Sequence, residues 1–265
     1  MIDWTDAFEN GAYIEGSAAL RDIWQAEAAA FRDNWPTQTL GAAYGSAPRQ
    51  CYDLFQTETQ RGTVIFVHGG YWHQTDRSWW SHLAAGPLAH GWSVAMPSYT
   101  LAPEARISQI TAEIAQAVCA IAAAQPGPIR LTGHSAGGHL ASRMAVAGVL
   151  PDAVRARVEL TVSISGVHHL EPLKASKMNE ILQLDAHEAE AESPALQDPA
   201  EGTNILFWVG AGERPEFLRQ NRMIAEAWSR KGADVSEQYD AGENHFSVVG
   251  KLADPDSPLV KSLCS

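Results

Sequence analysis

Gly133, His134, Ser135, Ala136 and Gly137 form the pattern Gly-x-Ser-x-Gly between an extended run ending at Thr132 and a helical pattern starting near Ala136. That placement suits a nucleophilic serine. On a sharp strand-to-helix turn the hydroxyl is presented at the sheet edge, and a Cβ at either flanking position would collide with the neighbouring strand or helix. A serine needs an adjacent base to become nucleophilic. His245, in the polar loop Gly242-Glu243-Asn244 beyond the last extended run, is the candidate, because a neutral imidazole can take a hydroxyl proton at physiological pH. A third group must orient that imidazole. Gly210, Ala211, Gly212 and Glu213 follow the run Ile205–Val209, and Glu213 is the first choice, with Asp240 and Glu216 as competitors.

Acyl transfer also needs donors for a developing oxyanion. His68, Gly69, Gly70, Tyr71 and Trp72 come directly after an apolar run ending at Val67. The N–H of Gly69 or Gly70, together with that of Ala136, is expected to supply them, while His68 is read as structural. Tyr71 and Trp72 are expected to wall the acyl pocket, with His134 and His168 beside it; Trp79 and Trp80 are read as packing. No histidine pair has a metal-binding spacing such as HExxH, so neither a metal nor a cofactor is expected.

The elements that would position these residues alternate. Residues 17–33 read as an amphipathic helix capped by Ser17, and a polar connection after Pro36 leads to a strand from Gln50 to Phe55. Thr63–Val67, Trp92–Met96, Ile129–Thr132, Val158–Ser165, Ile205–Val209 and Val235–Tyr239 read as strands. Ile107–Ile121, Ala136–Val149 and Pro215–Lys231 read as helices, and residues 168–199 as an irregular acidic stretch. Within it, the Ala- and Glu-rich residues 186–201 are expected to be a solvated part of a small cap. Strand–helix alternation predicts an α/β fold with a mostly parallel central sheet and helices on both faces.

A length of 265 residues suits one domain, 1–265, with a helical extension over 1–40 and a cap over about 168–200. A net charge of −12 disfavours nucleic acid and anionic membrane surfaces, leaving a small molecule as the expected ligand. Cys51, Cys119 and Cys264 have no CxxC spacing, and the N-terminus lacks signal-peptide features, so a cytoplasmic protein is expected. A homodimer is admissible on base rates alone.

The segments HGGYW (68–72), GHSAGGHLA (133–141), ISGVHHLEPL (164–173) and ERPEF (213–217) resemble the kynurenine formamidase (arylformamidase) branch of the α/β hydrolases. The resemblance runs from Tyr44 to Phe246 and takes in Tyr44, Gly45, Arg49, Gln50 and Asp53. Tyr99, Leu101, Ala102, Pro103 and Glu104 resemble related hormone-sensitive-lipase-like esterases. The first 40 residues lie outside it. It implies the α/β-hydrolase fold, the chain order serine, acid, histidine, and hydrolysis of a small acyl amide such as N-formyl-L-kynurenine. A short-chain carboxylesterase is the alternative, and a non-catalytic binding protein a distant one. The family usually has aspartate in place of Glu213, and Tyr or Phe followed by Asp in place of His168 and His169.

Overall fold

Strands β1 (Gln38–Ala43), β2 (Cys51–Phe55), β3 (Thr63–Val67), β4 (Ser93–Pro97), β5 (Ile129–His134), β6 (Val158–Ile164), β7 (Asn204–Gly210) and β8 (Asp234–Asp240) form one eight-stranded sheet in the computed structural model, which describes residues 2–265. Their order is β1-β2-β4-β3-β5-β6-β7-β8. β1 and β2 are antiparallel to their neighbours and all other pairs are parallel. All five residues of β3 and all five of β4 are buried, as a strand covered on both faces requires. β8, at the edge, exposes Asp234 and Glu237, charges that discourage pairing with another chain.

The direction of winding reverses at β3, which has β4 on one side and β5 on the other. A crevice therefore opens at the carboxyl ends of β3 and β5, where open α/β sheets place their ligands. Gly69 follows β3 and Ser135 follows β5, so both motifs reach this crevice. One face of the sheet is covered by the helix Ile107–Ala124, which buries Ile107, Ile110, Ile114, Val118 and Ile121 against Ile65 and Leu131. Each such side chain contributes about 1.5–3 kcal/mol of burial free energy. That helix is long and apolar enough to cross a membrane, but its apolar stripe is occupied by the sheet.

Four expectations are corrected. β1 was expected to be a polar connection; its residues are half-exposed or exposed, so no buried alternation marks it, and its N–H at Gly41 donates instead to Asp53 Oδ1 at 2.8 Å. Ser17 begins its helix, and Gly16 at φ 74° is the cap; Ser17 Oγ donates to Gly11 O at 2.7 Å. The helix after Ser135 stops at Met144, since Val146 bridges Pro199 and Ala147 N–H donates to Asp198 O at 3.0 Å.

The fourth is the solvation expected of residues 186–201, which form short helical turns and hold two buried carboxylates. Glu188 accepts from Arg106 Nε at 2.7 Å and from Ser108 N–H at 3.0 Å. Glu192 accepts from Arg143 Nε at 3.0 Å and from Thr111 Oγ at 2.6 Å. Acidic residues expected to face water thus tie this segment to the Ile107 and Ala136 helices.

Candidate active site

Ser135 has φ 57° and ψ −116°, a conformation that a non-glycine residue adopts only under strain of order 1–3 kcal/mol. The surroundings enforce it. A Cβ on Gly137 would lie 1.9 Å from Val67 O, and one on Gly133 would lie 2.2 Å from Gly137 O. Ser135 N–H donates to Ile164 O at 2.8 Å, which fixes the turn against β6.

The loop after β3 sits against this turn. A Cβ on Gly69 would lie 2.7 Å from His134 O and 3.2 Å from Ser135 Cβ, so only glycine lets the two backbones approach this closely. Gly70 has φ 107° and its carbonyl accepts from His73 and Gln74 N–H. Thr75 Oγ donates to Gly69 O at 2.7 Å. The N–H groups of Gly69, Gly70 and Ala136 have no acceptor among the described residues. They are the donors available to an anion beside Ser135, with Ala136 at the positive end of its helix. His68 is buried, stacks on Tyr99 at 4.4 Å and meets Thr75 Oγ at 3.0 Å; burial lowers its pKa to about 4.

His245 lies in the loop after β8. Its Nδ1 is 2.7 Å from Glu213 Oε2, and because a carboxylate only accepts, Nδ1 carries the proton and Nε2 is left as the basic nitrogen. Glu213 Oε1 accepts from Ser165 Oγ and, at 2.9 Å, from Gly210 N–H. The two competing acids are engaged elsewhere: Asp240 accepts from Trp208 Nε1 at 3.1 Å, and Glu216 is held by Arg219 and Gln220. Phe217 packs on the His245 ring with centroids 4.3 Å apart. Ser135 and His245 open on one cavity of about 180 Å³, without a direct hydrogen bond between them. Such contacts tighten when substrate binds.

His134 lines the same cavity. Its Nε2 donates to His245 O at 2.8 Å, and burial, with repulsion from His245, holds its pKa well below the ordinary range, so it stays neutral. Tyr71 also lines the cavity, its hydroxyl donating to Phe8 O at 2.8 Å and accepting from Asn10 at 3.0 Å.

Trp72 and His168 do not belong to the cavity. Trp72, at φ 61°, turns inward, is fully buried and donates to His139 Nδ1 at 3.2 Å. His168 is fully buried against Phe207, behind the turn. Trp79 and Trp80, expected only to pack, line the cavity instead. The largest omission is the helix Ser17–Asn34, which contributes Ser17, Arg21 and Trp24 to the cavity wall. Trp24 meets Trp80 at 4.9 Å and Phe246 edge-on at 5.7 Å. Aromatic residues on one face of that helix were the available signal, but nothing local says what they face. Among the described residues, no cluster of three or more His, Cys, Asp or Glu side chains is arranged to hold a metal.

A family model described as "Alpha/beta hydrolase family" matches residues 64–261. Kynurenine formamidase of Danio rerio is 26% identical over 86% of this chain and 81% of its own length. The Drosophila melanogaster kynurenine formamidase is 29% identical over 83% of this chain and 78% of its own. Among solved structures, a Silicibacter sp. tm1040 protein provisionally described as a thioesterase is 46% identical, covers 100% of both chains and superposes with a TM-score of 0.95. A carbohydrate esterase from gut microbiota shares the fold, with a TM-score of 0.70, 18% identity and coverage of 88% of this chain and 95% of its own. The strained serine turn, the glycine loop beside it and these matches together place the chain in the alpha/beta hydrolase family, as an arylformamidase-like hydrolase.

Proposed function

We propose that the chain is a serine hydrolase acting through an acyl-enzyme, and that its substrate is an aryl formamide of the N-formyl-L-kynurenine type. The observation that carries this reading is His245, held by the buried Glu213, opening on the same cavity as the strained Ser135. Ser135 Oγ attacks the formyl carbon while His245 Nε2 takes its proton, giving a tetrahedral oxyanion held by the N–H groups of Gly69 or Gly70 and Ala136. Collapse expels the aromatic amine, which receives the proton from His245. Water, activated by the same imidazole, then releases formate and regenerates the serine. An aromatic amine is less basic than an alkyl amine, so C–N cleavage is easier here than in a peptide.

The curated kynurenine formamidases support the formamide substrate. The 46% identity to the provisional thioesterase favours a second reading, hydrolysis of short acyl esters or thioesters by the same residues. Steady-state hydrolysis of N-formyl-L-kynurenine, p-nitrophenyl acetate and an acetyl thioester, by wild type and Ser135→Ala, tests both. Preference for the formamide, abolished in Ser135→Ala, supports the first reading. Ester or thioester turnover with little formamide cleavage moves the chain to the second. Failure of a fluorophosphonate to label Ser135 removes the serine mechanism altogether.

A further inference from the structure

We infer that Arg21 is a specificity-determining residue that binds a carboxylate on the leaving group, so that the cavity selects aromatic acyl compounds bearing an anionic group. This rests on the hydrolase reading above and adds the residue that recognises the carboxylate of the leaving group. Arg21 is the one lysine or arginine among the residues lining the cavity that holds Ser135 and His245. Its guanidinium lies over the Trp79 ring, 5.0 Å from the centroid. Among the described residues it has no carboxylate in any ion pair and no hydrogen-bond acceptor. Most other arginines of this acidic chain are partnered, for example Arg49 with Asp76 and Arg77 with Asp53.

The rest of the wall explains the aromatic part. Trp24, Trp79, Trp80 and Phe246 offer ring faces and edges at one end, with Trp24 and Trp80 already 4.9 Å apart. A planar aromatic leaving group packs against such side chains. A guanidinium that is stacked on an indole retains its planar fork of N–H donors, a geometry matched to a carboxylate. In a chain of net charge −12 an anionic ligand is otherwise repelled, so a single unpaired cation at the cavity has a large effect on which ligands enter.

The test separates binding from turnover. Calorimetric binding of 3-formamidobenzoate and of neutral formanilide is measured to Ser135→Ala and to the double variants that add Arg21→Gln or Arg21→Lys. The expected result is a fall of about tenfold in the preference for the anionic ligand with Arg21→Gln, the range of a charge-assisted hydrogen bond. Arg21→Lys restores part of it, and added salt weakens the preference only where the cation is present. An unchanged anionic-to-neutral ratio in Arg21→Gln overturns the proposal, as does a wild-type site that does not prefer the anion. Turnover of the two formamides, and of phenyl acetate against 3-acetoxybenzoate, is then compared in enzymes with Ser135 intact. A KM-borne loss of preference within the ester pair alone removes the formamidase reading and leaves the role of Arg21 standing.

Discussion

Replacing Glu213 by Gln tests the site most sharply, because both oxygens of that carboxylate have assigned donors. One oxygen accepts from His245 Nδ1 at 2.7 Å; the other accepts from Ser165 Oγ and from Gly210 N–H at 2.9 Å. A glutamine amide can satisfy only one side. If its NH2 faces His245, Nδ1 must become the acceptor, and the proton moves to Nε2, where the imidazole cannot take one from Ser135. If the amide turns over, NH2 meets the Gly210 N–H, donor against donor, and a buried donor left unpaired costs about 1–3 kcal/mol. The first arrangement therefore dominates. Loss of the tautomer and of the carboxylate's stabilisation of the imidazolium is expected to lower kcat by about a thousandfold to ten-thousandfold. Asp240→Asn, which alters a side chain hydrogen-bonded by Trp208 Nε1, is expected to lower it less than about threefold, the scale of a peripheral hydrogen bond. The assay is steady-state hydrolysis by folded variants with matched circular dichroism. A loss below tenfold in Glu213→Gln, or a larger loss in Asp240→Asn, would refute the assignment.

Three further outcomes follow from the packing. Trp72→Ala is expected to lower unfolding free energy by about 3–5 kcal/mol, measured in urea, while leaving the preference for formyl over larger acyl groups unchanged, because this ring lies in the core rather than in the cavity. Arg143→Met strands the buried Glu192 carboxylate and is expected to destabilise by about 3–5 kcal/mol in the same measurement; a change under 1 kcal/mol would show that Thr111 alone suffices. Stability is expected to fall with pH below neutrality. His68 and His139 have folded pKa values lowered by burial to about 4 and about 3, against an ordinary value of 6.5. Above 6.5 both states are neutral and the stability is fully present. As pH falls from 6.5 toward the folded values, only the unfolded chain takes up protons, so stability is lost by up to about 1.4 kcal/mol per pH unit for each histidine. Urea midpoints between pH 7.5 and 4.5 measure the slope, and His139→Gln should flatten it; an identical slope in that variant would remove His139 from the account.

Much of the fold was legible because the signals are local. Buried strands such as β3 are unbroken apolar runs, and the Ile107 helix declares itself by apolar residues at helical spacing. β1 was missed because an exposed edge strand carries no such pattern, and the buried Glu188 and Glu192 were read as solvated because their arginine partners lie in other helices.

The residue order by itself determined the strained turn at Ser135 and the glycine loop at Gly69, since both follow from steric rules acting over a few consecutive residues. It also placed His245 beyond the last strand. Only the tertiary structure decided which acid meets that histidine. Glu213 and Asp240 both lie at carboxyl ends of neighbouring strands, β7 and β8, and composition does not separate them. Their fates differ because the β7 loop folds back under His245, where a Cβ on Gly210 would lie 2.6 Å from Glu243 O, while Asp240 turns to Trp208. The same holds for the cavity wall. Trp72 and Trp79 are seven residues apart in the sequence, yet one points into the core and the other joins Arg21 and Trp24 in the wall of the cavity that holds Ser135. Contacts between residues a hundred positions apart depend on how helices cross the sheet, and no local pattern encodes that.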